Sequence, residues 1–428
     1  MNSTKKAVQA NWITIGTIGV FFFIFGFITW LNGILIPYLK ISCELNHFQS
    51  YLVAFAFYIA YVLMAIPSSW VLKKTGLKSG MMIGLFVMAA GALLFIPAAF
   101  TRTYSFFLSG LFIMGTGLAL LQTAANPYIT ILGPIESAAQ RISIMGICNK
   151  SAGIIATYLF GVMALKDGDA LLEKLKSMDL VQKAAALDNL ASRIIIIPYL
   201  AMAGILVLVG IMVKISGLPE IDPNVQNAGD DKEGHVSRTS IFQYPFLLLG
   251  VLAIFCDVGL EIIAGDTIIS YGLSQGIPIS IAKHFTSLTM LASILGYTAG
   301  IIAIPKYISQ VKALKICAVL GITLTIAAIG LPKLASVVFI ALLGMANALI
   351  WPSVWPLALE GLGRFTRIGS SLLIMGNLGG ALLPLLYGRL ADVMSPQQAY
   401  LIVIPCYFFI LYYAAYGHKV GKRKIQVN

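Results

Sequence analysis

The chain has 428 residues, of which 59% are hydrophobic and 11% charged, and its mean hydropathy is +0.89. A soluble domain carries roughly 45–50% apolar and about 25% charged residues, so a water-soluble globular protein is excluded and a polytopic membrane protein is implied. The net charge of +12 does not indicate nucleic acid, because the basic residues sit in short breaks between apolar runs, where they set membrane orientation.

A helix needs about 20 apolar residues to cross a bilayer core. In chain order, twelve runs qualify: 12–38, 49–72, 79–100, 105–132, 142–165, 194–215, 244–271, 284–305, 312–331, 334–358, 368–388 and 397–416. Runs of this length span as helices, since in lipid each backbone N–H and C=O must be satisfied within the segment. The first follows "MNSTKK" without a small-residue cleavage site and is expected to be retained as a span. Residues 166–193 mix acids and bases around Leu and Met, which predicts a short amphipathic surface helix. Residues 217–240, "GLPEIDPNVQNAGDDKEGHVSRTS", read as a flexible cytoplasmic linker. The expected division is an N-terminal six-helix half (1–216), the linker (217–240) and a C-terminal six-helix half (241–428). With the N-terminus inside, the inner short segments hold fifteen Lys and Arg against five in the outer short loops. That asymmetry places both termini in the cytoplasm and the chain in the cytoplasmic (inner) membrane.

Enzymatic signatures are missing: no HExxH, GxSxG, P-loop or calcium-loop pattern occurs, and the five cysteines are scattered without a CxxC. An enzyme is therefore not expected, nor a metal or cofactor, nor a nucleic-acid partner. The expected partners are a small solute and the lipid bilayer, and the expected state is a monomer.

The informative residues are polar ones inside the runs. A charge at mid-bilayer costs roughly 2.5–3.5 kcal/mol on insertion scales, so such residues usually serve function. Among seventeen acids, only Asp257, Glu261 and Asp266 lie well inside a run, all in "FCDVGLEIIAGDTI" of the seventh. Asp257 and Glu261 are four residues apart and share a helix face, while Asp266 falls on the opposite face of an unbroken helix. Gly259 and Gly265 allow the backbone to bend there. The one deep base is Lys150 in "GICNKSAG" of the fifth run. It is either a purely structural ion-pair partner or a switchable one that couples an ion, proton or sodium, to transport. Asn32, Gln122, Asn126, Asn149, Asn347 and Asn377 add buried amides, and Trp351 and Trp355 add flat faces on which a sugar ring stacks. Each alone serves as well as interhelical glue. Together with Glu261 they describe a polar cavity suited to a neutral polyhydroxylated solute.

A weak repeat supports two parallel halves. Met145 and Met375 are 230 residues apart, and Asn126-Pro127 and Trp351-Pro352, both late in a run, are 225 apart. A central site between six-helix halves is the expected consequence.

"LQTAANPYITILGP", followed by Arg141 and Asn149, resembles the fucose permease and glucose–galactose permease group of the major facilitator superfamily; so do "LNGILIPYLK", "FCDVGLEIIAGDTI" and "WPSVWPLALEGLG". The resemblance spans nearly the whole chain. It implies an all-α fold of twelve transmembrane helices in two pseudo-symmetric halves that rock around a central site. The implied activity is ion-coupled import of a monosaccharide such as glucose, galactose or a fucose-like sugar. A uniporter or an N-acetylhexosamine carrier is the alternative, and a non-transporting membrane sensor a remote one. The departures are specific. Where fucose permease carries acids in the first and fourth spans, this chain has Gly33 and Gln122. It has Lys150 where the family usually has a small residue, and Asp257 where fucose permease has an aromatic. The ionisable machinery is thus expected in spans five and seven.

Overall fold

The computed structural model describes residues 12–31, 35–36, 39–40, 45–101, 103–131, 138–164, 178–179, 182, 186, 195–215, 240–362 and 365–422. The described residues are helical, with no strand among them. The principal helices are α1 (Trp12–Trp30), α2 (Leu52–Leu93), α3 (Tyr104–Ile131), α4 (Ala138–Ala164) and α5 (Ile197–Ile215) in a first group. A second group holds α6 (Pro245–Asp266), α7 (Ile268–Ser274), α8 (Phe285–Ala303), α9 (Gln310–Gly330), α10 (Lys333–Asn347), α11 (Ile350–Leu359), α12 (Thr366–Met375), α13 (Leu378–Val393) and α14 (Val403–Ala415). The expected surface helix of 166–193 lies almost wholly outside the described residues, and so does the expected linker apart from Ser240.

Among the described residues, ten helical segments are long and apolar enough to cross a membrane, and Gly16–Trp30 is a shorter apolar helix. One of the ten, Leu52–Thr101, has 50 residues. At about 1.5 Å per residue it is far longer than the roughly 30 Å of a bilayer core. It contains two crossings. Gly76 leaves helical geometry with φ 79° and ψ 169°, and the chain folds back so tightly that a Cβ on Gly80 would lie 2.1 Å from the Leu72 side chain. The runs 49–72 and 79–100 are therefore two spans, as expected, joined with no more than one non-helical residue.

The apolar surface matches a lipid solvent. Along α5, Ile197, Leu200, Ile205, Leu208, Met212 and Ile215 are all exposed, a stripe that would drive aggregation in water. Contacts between helices rely on small residues, as membrane bundles do. Gly84 of α2 faces the Gly117 carbonyl of α3, where a Cβ would come within 2.7 Å.

Three spans of the second group are broken, whereas the sequence pointed to bending in the seventh alone. The seventh breaks at Thr267, between α6 and α7; the tenth at Ala348–Leu349, between α10 and α11; the eleventh at Gly376–Asn377, between α12 and α13. Of the two glycines expected to allow bending in the seventh span, Gly259 stays inside α6 and instead admits Leu383 of α13, while Gly265 sits beside the break. A break frees backbone carbonyls, which must find partners away from water. Thr286 of α8 donates to the Gly265 carbonyl at 2.8 Å, and Thr289 to that of Ala264 at 3.4 Å. The Thr267 and Tyr400 hydroxyls pair at 2.7 Å.

Candidate functional site

Each of the three breaks carries a polar side chain, and the seventh span lies on the seam between the two groups, where Gly265 packs on Trp30. Asp266 is the last residue of α6, Asn347 the last of α10, and Asn377 immediately precedes α13. Polar side chains at interrupted helices are the usual construction of a transport site near the membrane midplane.

At the centre of the seam Lys150 of α4 forms an ion pair with Glu261 of α6. The lysine side chain is 3% exposed and the glutamate 28%, so the pair is open to water from the glutamate side only. The lysine meets Glu261 rather than Asp257. Asp257 and Asp266 both lie within its electrostatic reach, and both are buried. Among the described residues, Asp257 Oδ1 and both carboxylate oxygens of Asp266 have no hydrogen-bond partner. Buried polar atoms are almost always satisfied, and exceptions concentrate at working sites.

Trp30, which sequence reasoning passed over, organises the other side of the lysine. Its ring lies under the Lys150 ammonium, 3.9 Å from Nζ to the ring centroid, and its indole Nε1–H donates to Asn149 Oδ1 at 3.0 Å. The available clue was that a buried indole N–H needs an acceptor and that Trp30 sits mid-run.

The remaining candidates divide. Asn126 is buried and Gln122 half-buried on α3. Asn347 accepts a hydrogen bond from the Tyr407 hydroxyl at 2.6 Å, while its Nδ2 has no partner among the described residues. Asn377 Nδ2 donates to the Ile374 carbonyl at 2.8 Å, across the break in its own span. Trp351 and Trp355 stack at 5.3 Å between ring centroids. Trp355 is 1% exposed and Trp351 half-buried, so of the two only Trp351 keeps accessible ring surface. Asn32 lies outside the described residues.

The two groups also meet at both ends of the bundle. At one end the Asp392 carboxylate, at the close of α13, accepts the backbone N–H of His47 at 3.2 Å and of Phe48 at 3.0 Å. Thr157 of α4 and Ser287 of α8 share a hydrogen bond of 2.7 Å. At the other end Gln140 Nε2 donates to the Ile304 carbonyl at 2.9 Å.

The sequence pattern of the Major Facilitator Superfamily matches residues 18–384. The chain belongs to that superfamily. Within it, a glucose/galactose transporter of Brucella abortus is 34% identical, over 97% of both chains. An L-fucose-proton symporter of Escherichia coli is 28% identical, covering 92% of this chain and 91% of the relative. The crystal structure of the E. coli fucose:proton symporter superimposes with a TM-score of 0.73 at 27% identity, covering 95% of this chain and 98% of that one. As a superfamily member, this is a multi-pass membrane transporter rather than an enzyme, and its helices correspond to the twelve-span fold.

Proposed function

We propose that this transporter imports a neutral monosaccharide across a cytoplasmic membrane, with the sugar's movement tied to a cation gradient. The relatives are named for glucose, galactose and fucose, and the amides at this seam suit a sugar's hydroxyls. Gln122, Asn126 and Asn149 supply hydrogen bonds, and the accessible ring of Trp351 supplies a stacking surface. Both termini face the cytoplasm, so the end of the bundle that carries His47 faces outward.

The single observation that carries the coupled reading is the Lys150–Glu261 pair, set between the two groups and within reach of Asp257 and Asp266. A buried charge without a partner is costly, so separating the groups while leaving Lys150 dry is unfavourable. As the groups part, Lys150 gains water or another acid, and the released carboxylate becomes a landing place for a proton or a sodium ion. Coupling then needs no acid in spans one and four, where this chain has Gly33 and Gln122.

The test is counterflow in proteoliposomes across a panel of labelled sugars, followed by uptake under an imposed sodium or pH gradient. Accumulation under one gradient, lost in Glu261→Gln while counterflow persists, is the expected result. Counterflow with no sugar ends the substrate reading. Counterflow without gradient-driven accumulation makes the protein a uniporter.

A further inference from the structure

Trp30 lies where the amide, the ion pair and the seam meet. It belongs to the first group of helices, is 1% exposed, and sits flush against both groups at once. On its own side, a Cβ at Gly153 of α4 would lie 2.7 Å from the ring. On the opposite side, a Cβ at Gly265 of α6 would lie 2.4 Å from it. Neither position has space for even a methyl group, so the ring fills a slot that two glycines leave open. Gly265 adjoins the break in the seventh span, and its carbonyl is held by Thr286. The slot is therefore cut into a rigid, satisfied backbone rather than a yielding side-chain surface.

The indole also fixes the chemistry of its neighbours. An indole N–H is a donor only, so the Asn149 atom facing it is the oxygen. The amide –NH2 is thereby turned away from Trp30, and a free Asn149 side chain would have no such preference. The ring face meanwhile attracts the Lys150 ammonium, which keeps Nζ aimed at Glu261. One residue thus sets the donor that Asn149 presents, steadies the ion pair and wedges the seam shut.

We propose that Trp30 is a positioning residue that ties sugar recognition to closure of the seam: its N–H orients the Asn149 amide for sugar, and its ring is the wedge between Gly153 and Gly265. This deepens the reading of Asn149 as a sugar ligand and rests on it. The N–H and the slot are perturbed by different variants. Trp30→Phe removes the donor and shortens the ring, withdrawing the edge that faces Gly265. Gly265→Ala leaves the donor and obstructs the slot.

The experiment measures equilibrium exchange of labelled D-galactose and D-glucose by the full chain in proteoliposomes, with thermal stability recorded for each variant. Trp30→Phe should raise the half-saturating sugar concentration about 5- to 10-fold, with the maximal exchange rate within about twofold of wild type. Gly265→Ala should leave half-saturation within about twofold and lower the maximal rate by about tenfold or more, because a packed seam is bistable rather than continuously deformable. If Gly265→Ala does not fold, Gly153→Ala obstructs the same slot from the other side, and Trp30→Phe decides the recognition half unaided. The proposal is overturned if both variants depress the same parameter alike, which is what packing alone predicts. It is also overturned if Trp30→Phe leaves half-saturation unchanged while Asn149→Ala weakens it, a result that spares the sugar reading. Asn149→Ala with wild-type half-saturation, or wild-type protein that exchanges neither sugar, sinks the sugar reading and takes this inference with it.

Discussion

At the scale of the residue, Lys150 and Glu261 differ in their access to water, and that difference makes the two halves of their ion pair unequal. Glu261→Gln strands an ammonium that is buried from water, and breaking a buried pair in this way costs about 3–5 kcal/mol. Lys150→Met leaves a carboxylate with 28% of its side chain exposed, which hydrates and loses less. The expected order of thermal stability in detergent is wild type, then Lys150→Met, then Glu261→Gln, with the double mutant above Glu261→Gln. A double mutant no more stable than Glu261→Gln would contradict the pairing. The amides call for a different measurement. Removing a group that hydrogen-bonds a buried hydroxyl costs about 1–3 kcal/mol, so Gln122→Ala, Asn126→Ala and Asn149→Ala should each weaken sugar affinity roughly 5- to 150-fold. Titration calorimetry that finds all three unchanged removes them from the site. The depth of the three acids and the one base was legible in the sequence, because depth depends only on position within an apolar run. Their partners were not. Lys150 and Glu261 stand 111 residues apart, and whether the lysine meets Glu261 or Asp257 depends on how α4 and α6 are turned toward each other.

At the scale of the element, the breaks in the second group matter more than the helices. Thr286→Val removes the donor that satisfies the Gly265 carbonyl in a site closed to water. An unmet buried acceptor costs about 1–3 kcal/mol, so a fall in stability of that size is expected, and an unchanged melting temperature would mean that the break satisfies itself. In the first group, Gly76 turns the chain between two spans with φ 79°. With ψ at 169° this is the extended positive-φ region that essentially only glycine adopts, so Gly76→Ala and Gly76→Asn should both lower stability, by about 1–3 kcal/mol. The surrounding lysines are Lys73, Lys74 and Lys78. Lys74 lies over the Trp70 ring at 3.8 Å. Neutralising all three should alter expression or orientation in the membrane while leaving sugar affinity intact, and a selective loss of binding would argue otherwise. The length of the apolar runs placed these spans well because hydrophobic length is a local property. It did not place the break at Thr267, because that break is held by Tyr400 and Thr286, which the local sequence does not contain.

At the scale of the whole molecule, the His47 end is closed by Tyr51 packed edge-on against Tyr387 at 5.8 Å and by hydrogen bonds to Asp392. The two backbone N–H bonds to Asp392 cross from one group to the other, and Asp392→Ala should shift the population toward separation at that end. Spin-label distances between the tips of α2 and α13 read this directly, and an unaltered distribution would show the contact to be incidental. Partial burial, then the nearby Lys40, hold His47 at this end below its ordinary value of 6.5, while the Asp392 carboxylate from the other group opposes them.

Sequence by itself determined the solvent and the number of spans, and it singled out Asp257, Glu261, Asp266 and Lys150 as charges inside apolar runs, because each follows from the free energy of placing a local run of side chains in lipid. Only the tertiary structure decided that Lys150 meets Glu261, that the seventh, tenth and eleventh spans break beside Asp266, Asn347 and Asn377, and that Trp30 closes the seam against Gly153 and Gly265. Those facts depend on which faces of distant helices come into register. Lipid, which solvates every apolar face about equally well, leaves that choice to close packing and to the few polar groups that must find one another.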